Sequence, residues 1–301
     1  MRSTPIVIGH RGAPAHRPEH TLAGYELAIR LGADFVEPDL VSTADGVLIA
    51  RHDDDLTSTT DLAAHPALAG KLVHELTLAQ VRTLRATERL PDLRAASRAF
   101  DGRFPVPTLD EILALCLRLG AELGRRVGVY LELKHPARFA HLGLPLGPPL
   151  VAALEAAGLN APDAPVIVES FEIEPLRELR EPLHVPISQL VEPGPAAQDM
   201  LTPKGLAEIA TYAQCVSPNK DLVIPRDAAG RLAAPSTLVA DAHAAGLGVH
   251  CWTFRDEAPF RPAGLDAAAE YIAFFDAGVD AVFADQPDTA VAARRSWMMR
   301  A

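Results

Sequence analysis

The chain has 301 residues, of which 49% are hydrophobic and 22% charged, a composition that excludes wholesale disorder. Its 28 basic and 39 acidic side chains give a formal net charge of −11, which makes nucleic acids and anionic membranes unfavourable partners. No apolar run reaches the roughly 18 to 20 residues that a membrane-spanning helix needs. The three cysteines, Cys116, Cys215 and Cys251, are widely spaced, so neither a disulfide framework nor a zinc ribbon is expected.

Short apolar runs alternate with longer amphipathic stretches along most of the chain. The length and β-branched content of these runs favour parallel strands over buried helices. The runs are Ile6–Gly9, Phe35–Leu40, Val127–Leu133, Val166–Ser170, Ile187–Val191, Cys215–Ser217, Leu247–Trp252 and Ala281–Ala284. Strands that alternate with helices in this way predict an α/β fold of the (β/α)8 TIM-barrel type, with a doubly wound open sheet as the alternative. We expect residues 1–301 to form one domain.

Helix boundaries are marked in the stretches between these runs. Thr108, followed by Glu111, has the form of a capping box, and Thr202 precedes Pro203 at a plausible first helical turn. Glycines that follow amphipathic stretches predict helix ends. These glycines are Gly32, Gly120, Gly158, Gly246 and Gly278.

The segment Asp53–Pro107 interrupts the alternation, because it contains no strand–helix unit of the barrel type. We predict that it is a small insertion after the second strand region, projecting from the loop end of the barrel. Long insertions at this end often build part of a binding site. The segment is therefore expected to cap the barrel mouth.

The candidates for chemistry lie where the predicted strands end, since barrel active sites gather at the carboxyl ends of the strands. Strand one ends in Gly9-His10-Arg11-Gly12, where two glycines permit a sharp turn that presents both side chains. In strand two, Glu37 and Asp39 are two positions apart and so share one face. Carboxylates that point together into a barrel mouth repel each other unless a cation lies between them. Solvated strand-end acids are the alternative interpretation.

Further polar residues end the next apolar runs. His52 follows a short apolar run after a turn, and Glu132 and Lys134 share a face of the third long strand. A third carboxylate would complete a cation site, and oxygen ligands select Mg²⁺ or Ca²⁺. Lys134 suits an anionic oxygen of a ligand, with a structural salt bridge as the alternative. Two histidines for acid and base catalysis, together with a cation and basic groups, suit phosphodiester chemistry.

Taken together, these residues resemble the glycerophosphodiester phosphodiesterase family, a group of (β/α)8 barrels related to the bacterial phosphatidylinositol phospholipases C. The matching motifs are His10-Arg11-Gly12, Pro18-Glu19-His20-Thr21, Glu37-Pro38-Asp39-Leu40, Thr43-Ala44-Asp45-Gly46, His52-Asp53 and Glu132-Leu133-Lys134. Weaker matches are Ser170-Phe171, Val249–Thr253 and Gly278–Asp285. The motifs follow the family order through nearly the whole chain and look most like the periplasmic-type bacterial branch. His20 departs from the pattern, because family members commonly have asparagine there.

The resemblance implies a role for each matching residue. The implied acid–base pair is His10 and His52. The implied ligands of one divalent cation, Ca²⁺ or Mg²⁺, are Glu37, Asp39 and Glu132. The implied phosphate contacts are Arg11 and Lys134. The implied pocket residues are Glu19, Phe171 and Trp252, and Glu19 is also expected to orient the strand-one loop or Arg11. The implied reaction cleaves a glycerophosphodiester, such as glycerophosphocholine or glycerophosphoethanolamine, to sn-glycerol 3-phosphate and an alcohol, by way of a cyclic phosphate as in the related lipases.

Two other functions are compatible with the fold. One is a phospholipase D or sphingomyelinase-like activity on membrane lipid, against which the acidic surface and the 5% aromatic content argue. The other is a non-catalytic binding barrel, which would be expected to have lost one of the five catalytic or ligand residues. The expected partner is a small glycerophosphodiester, with no nucleic acid and no stable membrane association. The apolar run at Ile6 begins too early to follow a signal peptide, so we expect a cytoplasmic location, or a periplasmic or secreted one if a leader was removed.

Overall fold

The apolar runs of the sequence form the strands of a closed parallel barrel in the computed structural model, which describes residues 4–300. The strands are β1 (Ile6–His10), β2 (Phe35–Glu37), β3 (Asp39–Ser42), β4 (Leu48–Ala50), β5 (Gly128–Leu133), β6 (Val166–Ser170), β7 (Ile187–Val191), β8 (Cys215–Pro218), β9 (Gly248–Phe254) and β10 (Ala281–Ala284). Strand β1 pairs in parallel with β2 and with β10, and the parallel pairing of β2 with β5 closes the sheet. The predicted (β/α)8 barrel is thereby confirmed, and the doubly wound open sheet is excluded.

The second barrel position is divided between two short strands. The run Phe35–Leu40 was expected to be one strand, but Pro38 separates β2 from β3. Proline has no N–H to donate to a ladder, so a break at this position is the physical consequence. Strand β3 then continues beside β5 and also pairs in antiparallel fashion with β4, which carries the chain back toward the barrel mouth and leads directly to Arg51 and His52.

Helices occupy most of the connections between the strands. They are α1 (Leu22–Arg30), α2 (Leu78–Val81), α3 (Ala95–Arg98), α4 (Leu109–Leu123), α5 (Pro136–His141), α6 (Gly147–Ala156), α7 (Ile173–Leu179), α8 (Pro195–Met200), α9 (Pro203–Ile209), α10 (Lys220–Val223), α11 (Leu238–Ala244), α12 (Ala267–Ala277) and α13 (Pro287–Met298). No helix within residues 4–300 is both long enough and apolar enough to cross a membrane.

The predicted helix boundaries hold with one exception. The capping box of Thr108 with Glu111 starts α4, and the Thr202 side chain accepts a hydrogen bond from the backbone N–H of Gly205 at the start of α9. The predicted end at Gly120 is wrong, because α4 continues to Leu123 and ends at Gly124, whose φ of 61° is left-handed. A glycine inside a helix costs about 1 kcal/mol relative to alanine, which the buried apolar face of α4 offsets.

Apolar side chains pack in two layers. The main cluster fills the space between the outer face of the barrel and the helices, and it includes Cys251 of β9. A smaller cluster of Ile8, Tyr130, Ile167, Ala281 and Phe283 fills the barrel interior. Strand alternation explains the division, because neighbouring residues of a strand point to opposite faces. His250 therefore points inward, where the Tyr130 hydroxyl lies 2.8 Å from its Nδ1.

The segment 53–107 lies at the carboxyl-terminal end of the barrel. It consists of α2, α3 and short 3₁₀ turns joined by loops. Arg94 of this segment bonds to Asp285, which directly follows β10, and Arg89 bonds to Glu19 in the loop after β1. The segment is thus attached to the loop end, where the functional residues were expected.

Candidate active site

A cavity of about 350 Å³ opens at the carboxyl ends of the barrel strands. Eight of the residues predicted from the sequence line it, namely His10, Arg11, Glu37, His52, Glu132, Lys134, Phe171 and Trp252. Two predicted residues, Asp39 and Glu19, are buried behind its wall. The structure therefore brings most of the predicted set to one place, from six separate stretches of the chain.

The loop after β1 bends sharply enough to present two side chains to this cavity. Arg11 and Gly12 both have positive φ, 54° and 97° respectively. A Cβ on Gly12 would lie 2.8 Å from the backbone carbon of Gly24, so glycine is required at this position. In this bend the Arg11 backbone N–H donates to Glu37 Oε2 at 2.9 Å, which ties the β1 loop to the acidic side of the cavity.

His10 is held by a carboxylate at the end of the last strand. Its Nδ1 lies 2.6 Å from Asp285 Oδ1, and Asp285 is only 2% exposed. Burial opposes ionisation, but Arg255, His10 and Arg94 hold the pKa of Asp285 well below its usual range. An ionised carboxylate only accepts hydrogen bonds, so the proton of neutral His10 lies on Nδ1 and Nε2 is left with a lone pair. Burial lowers the pKa of His10 to about 4, which keeps this lone pair available near neutral pH.

Arg94 connects this pair to the segment 53–107. Its Nη2 donates to Asp285 Oδ2 at 2.5 Å, and its Nε donates to Glu257 Oε1 at 2.6 Å. Sequence reasoning quoted Asp285 within a family motif without giving it a role. Its position directly after a barrel strand was the signal that could have identified it.

His52 is held in a similar way but is more accessible. Its Nδ1 lies 2.7 Å from Asp53 Oδ1, and Asp53 Oδ2 in turn accepts from Arg89 at 2.6 Å. The His52 side chain is 31% exposed. Burial lowers the pKa of His52, while the carboxylates of Asp39 and Asp53 oppose that effect by favouring the protonated ring. His52 is thus the histidine whose surroundings give more support to the charged form.

Three glutamates from neighbouring strands converge beside the histidines. Glu37, Glu132 and Glu169 each offer a carboxylate oxygen, and these oxygens lie within 4.8 Å of one another. In the barrel register Glu132 of β5 pairs with Glu169 of β6. Burial, reinforced by the neighbouring carboxylates, raises the pKa of Glu37 and that of Glu169 well above the ordinary range. Burial also raises the pKa of Glu132 to about 8.

The structure adds Glu169 to the predicted Glu37 and Glu132, while Asp39 borders the same cluster as the register partner of Glu132. The Asp39 carboxylate accepts from His20 Nε2 at 2.8 Å, and Arg11 Nε lies 3.3 Å from the same oxygen. Glu37 and Asp39, which were predicted to share a face, lie on either side of the break at Pro38. Glu37 also accepts from the Arg11 backbone N–H, and the joint role of Glu37 and Asp39 as cation ligands stays a prediction. Glu169 lies within the predicted strand Val166–Ser170, and its register with Glu132 could be determined only from the paired strands.

The glutamate cluster is suited to a hard divalent cation. Glu37 Oε1 and Glu169 Oε2 are buried and accept no hydrogen bond from any residue that the structure describes. Buried carboxylate oxygens without partners are costly unless a cation balances them. Carboxylate oxygens are also the ligands that Mg²⁺ and Ca²⁺ prefer. The cluster therefore fits the divalent cation that the sequence predicts.

Two of the predicted contacts differ in detail from expectation. Lys134 Nζ donates to Glu132 Oε1 at 2.8 Å, so the salt bridge considered as an alternative is present, although Lys134 also lines the cavity. Glu19 was predicted to belong to the pocket, but it is 4% exposed and does not line the cavity. Its carboxylate lies 2.7 Å from Arg89 Nη2 and 3.3 Å from Arg11 Nη1, so its contacts are with arginines, including the Arg11 that it was expected to orient.

The far wall of the cavity is built from aromatic and basic side chains. Phe171 and Trp252 meet edge to face with ring centroids 5.7 Å apart, as expected for pocket residues. The rest of this wall comes from the loops after β8 and β9, including Asn219, Arg226 and Phe260. None of the residues that line the cavity comes from the segment 53–107, and the expectation that this segment caps the barrel mouth stays a prediction.

Comparison with known proteins agrees with this geometry. The chain is 30% identical to a glycerophosphodiester phosphodiesterase from Arabidopsis thaliana over 94% of its own length and 84% of that protein. It is 26% identical to a glycerophosphodiester phosphodiesterase from Haemophilus influenzae, over 97% of this chain and 90% of that protein. A solved structure from Silicibacter pomeroyi, assigned to the glycerophosphoryl diester phosphodiesterases, superposes with a TM-score of 0.76 and 27% identity, covering 98% of this chain and 94% of that one. The sequence model of the glycerophosphoryl diester phosphodiesterase family matches residues 10–289, and the chain therefore belongs to that family.

Proposed function

We propose that this chain hydrolyses glycerophosphodiesters to sn-glycerol 3-phosphate and an alcohol. The observation that carries the proposal is the pair of carboxylate-held histidines, His10 and His52, on one cavity beside three buried glutamates. A phosphodiester needs a base for the attacking hydroxyl, an acid for the departing oxygen and positive charge around the phosphate. Family membership supports the same substrate class.

The cation of this site is proposed to be Mg²⁺ or Ca²⁺ held by Glu37, Glu132 and Glu169. A bound divalent cation would act as a Lewis acid toward a phosphate oxygen, neutralising its charge and making the phosphorus more electrophilic. Asp39, predicted as a ligand from the family motif, borders this cluster and adds negative charge to it. Burial and the Asp39 carboxylate both raise the pKa of Glu132, and the Lys134 ammonium opposes them. Its observed partner His20 holds Asp39 in place.

His10 is proposed as the general base of the first step. Because Asp285 fixes the proton of His10 on Nδ1, Nε2 is the ring nitrogen that can take a proton from the glycerol 2-hydroxyl. The oxygen of that hydroxyl forms a new bond to phosphorus, and the bond from phosphorus to the alcohol oxygen breaks. A cyclic glycerol phosphate remains, and water opens it in the second step with the proton transfers reversed.

His52 is proposed as the general acid of the first step. Its protonated form gains support from the Asp39 and Asp53 carboxylates, and its side chain is more accessible than that of His10. It would deliver its proton to the departing alcohol oxygen, which leaves as a neutral alcohol. Arg89 restrains Asp53, so this second histidine is tied to the segment 53–107.

The remaining residues bind and orient the substrate. Arg11 and Lys134 line the cavity as cations and are proposed to contact the phosphate, although both also pair with protein carboxylates. Phe171 and Trp252 are proposed to pack against the glycerol carbons. We also propose that residues 1–301 form a single domain in which the segment 53–107 braces the two histidines from the side.

A coupled assay tests the proposal. Purified protein is incubated with glycerophosphocholine, and sn-glycerol 3-phosphate is measured through its dehydrogenase, with and without excess chelator. The proposal predicts release of sn-glycerol 3-phosphate that stops in chelator and returns when Mg²⁺ or Ca²⁺ is added. Full turnover in chelator would remove the cation from the proposal, and no release from any glycerophosphodiester would refute the activity.

A further inference from the structure

Arg255 is a cavity residue with hydrogen-bond donors that the protein leaves free. It directly follows β9 and lines the cavity, with 28% of its side chain exposed. Its Nε donates to Asp285 Oδ2 at 2.9 Å. Among residues 4–300, no acceptor bonds to either of its terminal Nη atoms. The forked end of the guanidinium is therefore available to a ligand.

The guanidinium is also held in place before any ligand arrives. Asp285 binds its Nε, and its central carbon lies 5.1 Å from the centroid of the Phe260 ring. A side chain that is already ordered loses less conformational entropy when it binds, so such a group favours recognition. The neighbouring cations of the same wall, Lys220 and Arg226, donate hydrogen bonds to acceptors of the protein itself. Lys220 Nζ donates to the buried Glu270 at 2.7 Å, and both Nη atoms of Arg226 donate to backbone carbonyls.

We propose that Arg255 binds an anionic oxygen of the substrate through its two Nη atoms. The planar fork of arginine matches the two oxygens of a phosphate or of a carboxylate. A glycerophosphodiester offers such oxygens on the scissile phosphate and, when the leaving alcohol is serine, on its carboxylate. This inference rests on the proposed function, to which it adds a contact that neither the motifs nor the family comparison provided.

Arg94 supplies a matched control for the test. Arg94 and Arg255 both donate to the same oxygen, Asp285 Oδ2, but only Arg255 lines the cavity. Arg94 is more buried and also bonds Glu257, so a purely structural role of Arg255 through Asp285 would raise KM no more than Arg94→Gln does. A role in substrate binding would give Arg255→Gln an additional effect on KM that Arg94→Gln lacks.

The experiment measures kcat and KM of the wild type, Arg255→Gln and Arg94→Gln with glycerophosphoserine and glycerophosphoethanolamine. We expect Arg255→Gln to raise KM on the order of 10- to 100-fold more than Arg94→Gln does, the range for a lost charged hydrogen bond. A rise with both substrates assigns the contact to the scissile phosphate, and a rise with glycerophosphoserine alone assigns it to the carboxylate. Equal KM values for the two variants with both substrates would overturn the proposal.

A binding measurement separates this inference from the proposed function. Calorimetric titration with phosphoserine and phosphoethanolamine needs no turnover, so it reports on Arg255 even if no diester is hydrolysed. Arg255→Gln should weaken the binding of at least one of these probes relative to Arg94→Gln, and equal affinities would refute the contact. If Arg255→Gln does not fold, Arg255→Lys compared with Arg94→Lys replaces it, because lysine keeps the charge beside Asp285 but removes the fork.

Discussion

Replacing Asp285 with asparagine tests how His10 is held. Asp285 Oδ1 lies 2.6 Å from His10 Nδ1, while Oδ2 faces donors of both Arg94 and Arg255. An asparagine has one oxygen and one NH₂ group, so it cannot accept on both sides. If its oxygen faces the arginines, its NH₂ faces His10 Nδ1 and forces the histidine proton onto Nε2. The ring nitrogen that should accept the substrate proton is then blocked.

The magnitude follows from this geometry. Loss of a positioned general base typically costs about 10²- to 10⁴-fold in rate, or about 3 to 5 kcal/mol in the barrier. The two arginines would also lose a buried counter-charge, which typically costs about 3 to 5 kcal/mol of stability. We therefore expect Asp285→Asn to lower kcat by about 10²- to 10⁴-fold and to unfold at a lower urea concentration.

The assay compares Asp285→Asn with a matched variant at an exposed pair. Asp288 Oδ1 lies 3.1 Å from His16 Nε2, and the Asp288 side chain is 45% exposed. Neither Asp288 nor His16 lines the cavity, so Asp288→Asn should leave kcat near the wild-type value and change stability by less than about 1 kcal/mol. A wild-type kcat for folded Asp285→Asn would refute the assigned tautomer and the role of His10 as base.

Three further predictions concern the cation, the acid and the stability. Glu169→Gln should raise the Mg²⁺ or Ca²⁺ concentration for half-maximal activity by about 10-fold or more, and an unchanged titration would remove Glu169 from the site. His52→Ala should lose about 10²- to 10⁴-fold on glycerophosphocholine and recover on a diester with an activated phenol, whereas His10→Ala should not recover. Burial lowers the pKa of His250 to about 4 from an ordinary 6.5, so only the unfolded chain binds its proton between these values. Stability should fall as pH drops from 6.5 toward 4, by up to about 3 kcal/mol from this residue, and urea unfolding of His250→Gln should lack that part of the fall.

The barrel could be predicted from the sequence because local signals and global fold agree. Short β-branched runs separated by amphipathic stretches specify both the strands and their parallel arrangement. The capping box at Thr108 is another local signal, and the structure confirms it. Gly120 was misinterpreted because a helix packed on the barrel tolerates an internal glycine when its apolar face is well buried.

A residue of the candidate site could be predicted from the sequence only where its own position near a strand end was enough to suggest its role. His10 and Glu132 are examples, since each ends a buried run and lines the cavity. Glu169 and Asp285 gain their roles from partners on other strands, which only the register of the barrel brings together. The contacts of the segment 53–107 depend on long-range ion pairs such as Arg94 with Asp285, for which the sequence has no periodic signal.

The central claim is that this cavity cleaves the bond between phosphorus and the alcohol oxygen of a glycerophosphodiester. Phosphorus NMR of glycerophosphoethanolamine during incubation with the wild-type protein and Mg²⁺ or Ca²⁺ tests it most directly, with His10→Ala as the control. The account predicts that the diester signal is replaced by that of sn-glycerol 3-phosphate with the wild type and persists with His10→Ala. A phosphoethanolamine signal would show that the other ester bond breaks, and either that signal or an unchanged diester with the wild type would contradict the account.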